Sequence, residues 1–332
     1  MYYNWQPAPH YLFLSLFFSV IADRRYTFFN GGQNMPKFPE FENIELKDKE
    51  VIKKALWEYQ PETSDLTFTN LFIWRAHYDV LWTQYKDWLL IVYERAGAGL
   101  PPIGPPSREE PTRVFLNHLR TIYGEEARLE RADTKLIAEL RDNPDFVCEP
   151  TRNHFDYIYR SEDLVQLAGR KYDAKRNHLN VFRKNNQFTY RPIITCQDLT
   201  GCLEMAHRWC SVRGCDENMD LHDEYLAVIN ALNYFVELDL TGGLIEINGR
   251  IEAFTIGELL NKEMAVIHVE KADSQIRGLY AAINQQFAEH NWSSVKFINR
   301  EQDLGEPQLR KAKESYNPDH LVEKFRINLK SQ

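Results

Sequence analysis

The chain has 332 residues, a net charge of −8 and 43% hydrophobic residues. That length points to two domains, and the hydrophobic content excludes wholesale disorder. The acidic balance excludes binding of nucleic acid by bulk charge, so any contact with RNA or anionic lipid has to come from a local basic patch. Five cysteines (Cys148, Cys196, Cys202, Cys210, Cys215) form no CxxC pair, and their odd count reads as reduced, buried thiols of a cytosolic protein. Cys210 and Cys215 with His207 are conceivable zinc ligands, but helix-core cysteines are the commoner outcome and no metal is expected.

Tyr11 to Ala22 is an apolar run too short to cross a bilayer as a helix. Val20 and Ala22 suit a signal-peptide cleavage site, yet no Lys or Arg precedes the run. Residues 1–34 are therefore read as a false start, with Met35 the true beginning, or as an accessory segment, in preference to secretion. A short strand is predicted at Phe41–Leu46 and a helix from the Asp48 cap to Tyr59. Thr67–Trp74 reads as a short core helix, and Asp79–Tyr85 with Trp88–Tyr93 as a hairpin. Ala96–Pro106 is a Gly/Pro loop. A helix at Glu109–Tyr123, a strand at Ala127–Leu129, a helix at Asp133–Leu140 and strands at Phe146–Glu149 and Phe155–Tyr159 complete an α/β first half.

The second half repeats the plan. Helices are expected at Asp198–Val212 and Leu221–Phe235. Strands Gly243–Ile247 and Arg250–Glu258 are joined by Asn248-Gly249, the strongest hairpin signal a short sequence offers. A strand at Met264–Lys271, a helix at Ile276–His290, a strand at Val295–Asn299, a helix at Pro307–Ser315 and a final strand at His320–Ile327 follow. The division is placed at 35–190 and 191–332, with a broad interface between the halves.

Three stretches carry candidate chemistry. Between Tyr157 and Lys184 a strand passes into a basic amphipathic helix in which Lys171, Lys175 and His178 share one face, with Arg170 and Arg176 beside them. A charge run is usually just a solvated face. This one sits at the joint of an acidic protein, which makes it a candidate landing site for a polyanion. The second is the strand Met264–Lys271, where simple alternation puts His268 and Glu270 on one face. Arg277 and Gly278 follow at a helix start, where exposed amides favour anions. Singly, each is more often an ordinary sheet or salt-bridge residue. Together they are a candidate proton acceptor and donor-phosphate site. The third is Asn299–Phe325, with Asn299 ending a strand, Lys311 on a helix, and Tyr316 a candidate proton donor or an ordinary packing tyrosine. No GxSxG, Walker A, HExxH or CxxC pattern is present.

The blocks DYIYRSEDLVQLAGRKYDAKRNHLNVF, HVEKADSQIRGLYAAINQQF and NREQDLGEPQLRKAKESYNPDHLVEKF resemble, in combination, the family of the phosphatidylglycerol lysyltransferase C-terminal domain, including its soluble stand-alone members. The similarity covers nearly all of Met35 to Ile327. It implies an α/β (α+β) fold of two tandem GNAT-like acyltransferase domains, each a mixed sheet flanked by helices, as in Fem-type peptidyltransferases. It implies an aminoacyl-tRNA donor in lipid-modifying members and a lipid acceptor at the cytoplasmic side of a membrane. This sequence departs from those members in lacking their multi-helix membrane domain. Ser274–Tyr280 keeps a Gln and a Gly but not the full Q/R-x-x-G-x-G/A cofactor loop, which weighs against acetyl-CoA.

The expectation is a cytoplasmic acyl- or aminoacyltransferase with no resident cofactor, in which an amine or hydroxyl attacks an activated ester. Glu270 or His268 would take the proton, Tyr316 would give one, Arg277, Gly278, Lys311 and Asn299 would bind the donor, and Arg170, Lys171, Lys175, Arg176 and His178 would guide the polyanion. The acceptor is a lipid, a peptide or a small molecule. The alternatives are an acyl-CoA-dependent N-acyltransferase and a binding module without catalysis.

Overall fold

The computed structural model describes residues 35–330, so the readings made for residues 1–34 fall outside them. Within the described residues the chain builds two seven-stranded mixed sheets with helices on their faces, the α/β plan expected. The first sheet takes β1 (Glu42–Asn43), then, past α1 (Lys49–Tyr59), α2 (Phe68–Ile73) and α3 (Arg75–Tyr78), the hairpin β2 (Val80–Tyr85) and β3 (Trp88–Tyr93), and β4 (Ala98–Gly99). Next come α4 (Glu109–Tyr123), β5 (Arg128–Ala132), α5 (Thr134–Leu140) and β6 (Phe146–Pro150). The second region holds β7 (Asp156–Arg160), α6 (Ser161–Gln166), α7 (Asp173–Asn185), β8 (Phe188–Pro192), α8 (Cys196–Arg213) and α9 (Met219–Asn233). It continues through β9 (Thr241–Ile247), β10 (Arg250–Leu259), β11 (Met264–Ala272), α10 (Leu279–Asn291), β12 (Phe297–Asn299), α11 (Pro307–Glu314), β13 (His320–Val322) and β14 (Phe325–Leu329).

Local chemistry explains the boundaries. The Thr67 hydroxyl caps α2 by accepting from the Asn70 amide, and Asp133 caps α5 by accepting from Leu136. Thr195 and Asp198 close a reciprocal capping box on α8. Asn248 and Gly249 both take positive φ, 51° and 76°, as a two-residue type I′ hairpin turn requires. Gly214, at φ 71°, turns the chain back after α8 and brings Cys215 within 5.3 Å of Cys210, Cα to Cα, where the two form a disulfide. This corrects the reading of all five cysteines as reduced and buried, since Cys196 is also exposed.

The strand orders are β1-β2-β3-β4-β5-β14-β6 and β13-β7-β12-β11-β10-β9-β8. In each, an antiparallel meander leads to a single parallel pair, β4 with β5 and β11 with β12, joined by a helix. Beyond that pair the first sheet takes β14, which returns from the C-terminal end of the chain, and the second takes β7, the first strand after the change of sheet. One strand, β14, thus returns from the second region to complete the first sheet. The change of sheet lies between Pro150 and Asp156, whereas position 190/191 falls inside β8. The expected final strand His320–Ile327 is two strands in two sheets, split at Glu323-Lys324.

That split carries a buried charge. The Lys324 side chain is 0% exposed. Its ammonium donates to Asp65 and, at 2.7 Å, to Asp156, while Arg131 pairs with the other oxygen of Asp65. Burial works against the charge on Asp65, but Arg131 and Lys324 outweigh it and hold its pKa below the usual carboxylate range. Two cations and two carboxylates thus neutralise each other where the chain crosses between sheets. The Thr151 amide and hydroxyl both donate to the Lys324 carbonyl, at 2.8 and 2.9 Å, tying the two crossings together.

Candidate active site

The site begins with one irregularity in β11. Ile256 of β10 faces Val269, and the next residue, Gly257, faces Ile267, so His268 has no partner across the ladder. Gly257 makes room for this bulge, because a Cβ there would stand 2.4 Å from the Val266 carbonyl oxygen. One extra residue reverses the alternation beyond it. Glu270 then pairs with Thr255 and Ala272 with Ala253, on the helix-covered face that holds Ala265 and Ile267. His268 keeps to the other face, where it meets Glu258, the residue across from Val266. His268 and Glu270, expected together, therefore point to opposite sides of the sheet.

The face bearing Glu270 gathers a polar cluster. Parallel pairing of β11 with β12 ends at Val266–Asn299, while β11 runs on to Ala272. Arg300 follows directly, and its Nη2 donates to Glu270 at 2.9 Å. Asn284 of α10 donates to the other carboxylate oxygen at 3.0 Å. The Arg300 guanidinium lies 4.8 Å from the Tyr316 ring centre and 5.7 Å from that of Tyr159. From α7, the Lys175 ammonium sits 3.7 Å over the same Tyr316 ring. Lys175 has no carboxylate partner among the described residues. Burial, with Arg300 beside it, lowers the Lys175 pKa to about 8 against the opposing pull of Glu270. Burial pushes the Tyr316 hydroxyl up to about 12, although Arg300 works against it, so this group holds its proton. Two buried atoms in the cluster, Nη1 of Arg300 and Oδ1 of Asn284, have no hydrogen-bond partner among the described residues.

Lys313 steadies this arrangement from behind. Its ammonium, buried on α11, donates to the carbonyls of Arg300 and Gln302 and so fixes the backbone just past β12. Burial lowers its pKa to about 8. Tyr159 anchors the same helix by donating to the Lys313 carbonyl at 2.8 Å.

The opposite face is an ion-pair lattice. His268, with a side chain 1% exposed, sits 3.0 Å from Glu258 through Nε2 and 3.0 Å from Glu301 through Nδ1. Burial alone would strip its proton, but the two carboxylates outweigh it and raise its pKa to about 9. With both nitrogens donating, it has no free lone pair at neutral pH, so the geometry gives it the part of a structural cation in place of a proton acceptor. Asn299 is fully buried, and its amide donates at 3.0 Å to both Asp156 and the Glu62 carbonyl, within the network of the sheet crossing.

The remaining candidates lie apart. Arg277 and Lys311 are exposed. Gly278 caps α10 at φ 86°, and a Cβ there would meet the His178 carbonyl oxygen at 2.3 Å. That glycine therefore admits α7 against the turn, which covers the amides expected to receive an anion. On α7, Arg176 is bound to the Leu167 carbonyl, to the Gly169 carbonyl at 2.7 Å and to Asp173. Arg170, Lys171 and His178 are exposed, Lys171 with Asp163 3.0 Å away. The structure thus brings Glu270, Tyr316 and Lys175 together and adds Arg300, Asn284 and Lys313. The sequence does show Arg300 at a strand end, but only the folded chain brings its guanidinium to Glu270.

Known proteins share this architecture. A conserved protein of unknown function from Bacteroides thetaiotaomicron is 35% identical, with a TM-score of 0.80 over 87% of this chain and 99% of the other. A C-terminal DUF2156 domain from Agrobacterium fabrum matches at 12% identity and a TM-score of 0.60, over 86% and 92% of the two chains. L-PGS from Bacillus licheniformis matches at 13% and 0.50, over 76% and 81%. At those last two identities only the fold is shared. The family model described as phosphatidylglycerol lysyltransferase, C-terminal, matches residues 58–328. With a match that runs through both sheets, this chain belongs to the phosphatidylglycerol lysyltransferase C-terminal family.

Proposed function

We propose that the chain transfers an aminoacyl group, carried as an ester on tRNA, to an amine or hydroxyl acceptor at the Glu270–Arg300 cluster. Membership of the family supports acyltransferase-type chemistry in general. The observation that carries the finer reading is the pair of unfilled buried atoms around Glu270. Nη1 of Arg300 is a donor suited to a carbonyl oxygen, and Oδ1 of Asn284 is an acceptor suited to an N–H. An aminoacyl ester presents both groups and a plain acyl thioester only the first. Gly278 argues the same way, because α7 lies against the turn where a CoA pyrophosphate would need open amides. Arg170, Lys171 and His178 would receive the RNA backbone. No helix among the described residues is long and apolar enough to cross a membrane, so a lipid acceptor would be met at a membrane surface, on the cytoplasmic side where charged tRNA is found.

The test supplies the full chain with tRNA bearing a labelled amino acid, or with labelled acyl-CoA. Phosphatidylglycerol vesicles or small amines serve as acceptors. Label leaving tRNA for an acceptor, and lost in Glu270→Gln, is the expected result. Transfer from acyl-CoA alone would overturn the aminoacyl reading and leave the alternative donor.

A further inference from the structure

We infer that Lys175 is the proton acceptor of this site, a catalytic part distinct from the polyanion contact its sequence context implies; the inference rests on the transfer centre proposed above. Three groups face its ammonium: Arg300 beyond β12, Glu270 on β11 and the Tyr316 ring after α11. The carboxylate among them is already engaged at both oxygens, by Arg300 and Asn284. A carboxylate so occupied is a poor base, and His268 is a cation on the other face. Lys175 is held against the Tyr316 ring, at 3.7 Å, with no anion of its own among the described residues. A lysine that only steered RNA would stand in solvent beside Lys171 and His178, which are exposed, whereas Lys175 is half-buried and turned inward. Its lowered pKa leaves an appreciable share of free amine near neutral pH, and that is the form that accepts a proton.

The step balances without a co-reactant. The Lys175 amine takes the proton of the acceptor N–H or O–H as that atom bonds to the ester carbonyl carbon. The carbon–oxygen bond to the tRNA ribose breaks, and the departing alkoxide recovers the proton from the Lys175 ammonium. The residue ends as it began.

Two measurements test this. Acetic anhydride labelling of the full chain from about pH 6 to about pH 10, read by peptide mass spectrometry, compares Lys175 with a free lysine side chain. Lys175 is expected to gain reactivity about 2 pH units before the free side chain, and a titration matching that of the free side chain overturns the proposal. In the transfer assay Lys175→Arg keeps the charge but cannot deprotonate. It should lose about 100-fold or more in turnover with tRNA affinity unchanged, and a small exogenous amine should restore part of the rate to Lys175→Ala. Wild-type rate and pH profile in Lys175→Arg would overturn the base assignment alone. Absence of transfer from every donor by the wild-type chain would overturn the transfer centre and the base with it.

Discussion

The two halves share a plan but fill its central point differently. In both, a parallel strand pair joined by a helix marks the place where the sheet can open. In the first half that place is hydrocarbon: the Phe115 ring of α4 lies on Gly99 of β4, so close that a Cβ on Gly99 would stand 2.5 Å from it. Leu116, Leu119 and Leu129 complete a dry core around it. In the second half the equivalent place holds Glu270, Arg300, Asn284, Lys175 and Tyr316. Buried charge costs stability unless paired, and an apolar filling is the cheaper solution. The first half uses that solution against Gly99, although it too buries ion pairs nearby, Arg108 with Glu139 and Arg131 with Asp65. That contrast is the reason the proposed transfer centre is placed in the second sheet.

The contrast between the halves is open to challenge at several residues. The largest effect is expected at neither site but at the crossing between them. Lys324→Met leaves Asp65 and Asp156 without their shared cation and should cost about 3–5 kcal/mol in denaturant unfolding; an unchanged midpoint would mean the network does not hold the crossing together. Glu270→Gln should lower transfer per folded molecule about 100-fold and, by leaving buried Arg300 without its carboxylate, should also lower the melting temperature, whereas full activity would leave the second half no more catalytic than the first. Two glycine changes make a matched pair. Gly99→Ala should cost about 1–3 kcal/mol by crowding Phe115, without altering turnover per folded molecule. Gly278→Ala should also lose turnover, because it forces α7, and Lys175 with it, away from Tyr316. Equal catalytic effects from both would erase the distinction between halves.

Smaller effects refine the picture. His268 has an ordinary pKa of 6.5 and a folded value of about 9. A raised value means the folded state holds the proton more tightly. The stability it adds is complete below pH 6.5 and drains away as pH rises through 9. Wild type should therefore lose stability over that interval relative to His268→Gln, measured by denaturant midpoints, and parallel curves would show His268 uncharged. The smallest effect is reversal of Arg170 and Lys171 to Glu, which should weaken tRNA binding and flatten its salt dependence by about one unit of slope for each phosphate no longer neutralised.

What could be read from the residues was whatever is local. The helix Glu109–Tyr123 was legible end to end, since Gly124 follows it and a 3.6-residue apolar period runs through it. The Asn248-Gly249 turn was legible because two positive φ values have few other solutions. The strand Phe188–Pro192 escaped notice, as its half-exposed Phe-Thr-Tyr-Arg pattern sits between two stronger helix signals. The bulge at His268 could not be read, because a bulge belongs to the pairing of two strands, and it alone decides that Glu270 and not His268 meets Arg300. Buried Lys313 and Lys324 look like surface lysines until the carbonyls and carboxylates that receive them are brought in from distant segments.

The returning strand β14 also sets an order of events in the life of the chain. While the polypeptide emerges from a ribosome, the edges of β5 and β6 have no partner between them until residues 325–329 arrive. The first half, though synthesised first, has to wait for the last of the second. Such a long interval with open sheet edges invites pairing with a neighbouring chain. A nascent copy halted before Phe325 would be a natural client for a chaperone, and a first half produced as a separate polypeptide would lack the β14 strand that fills the gap between β5 and β6.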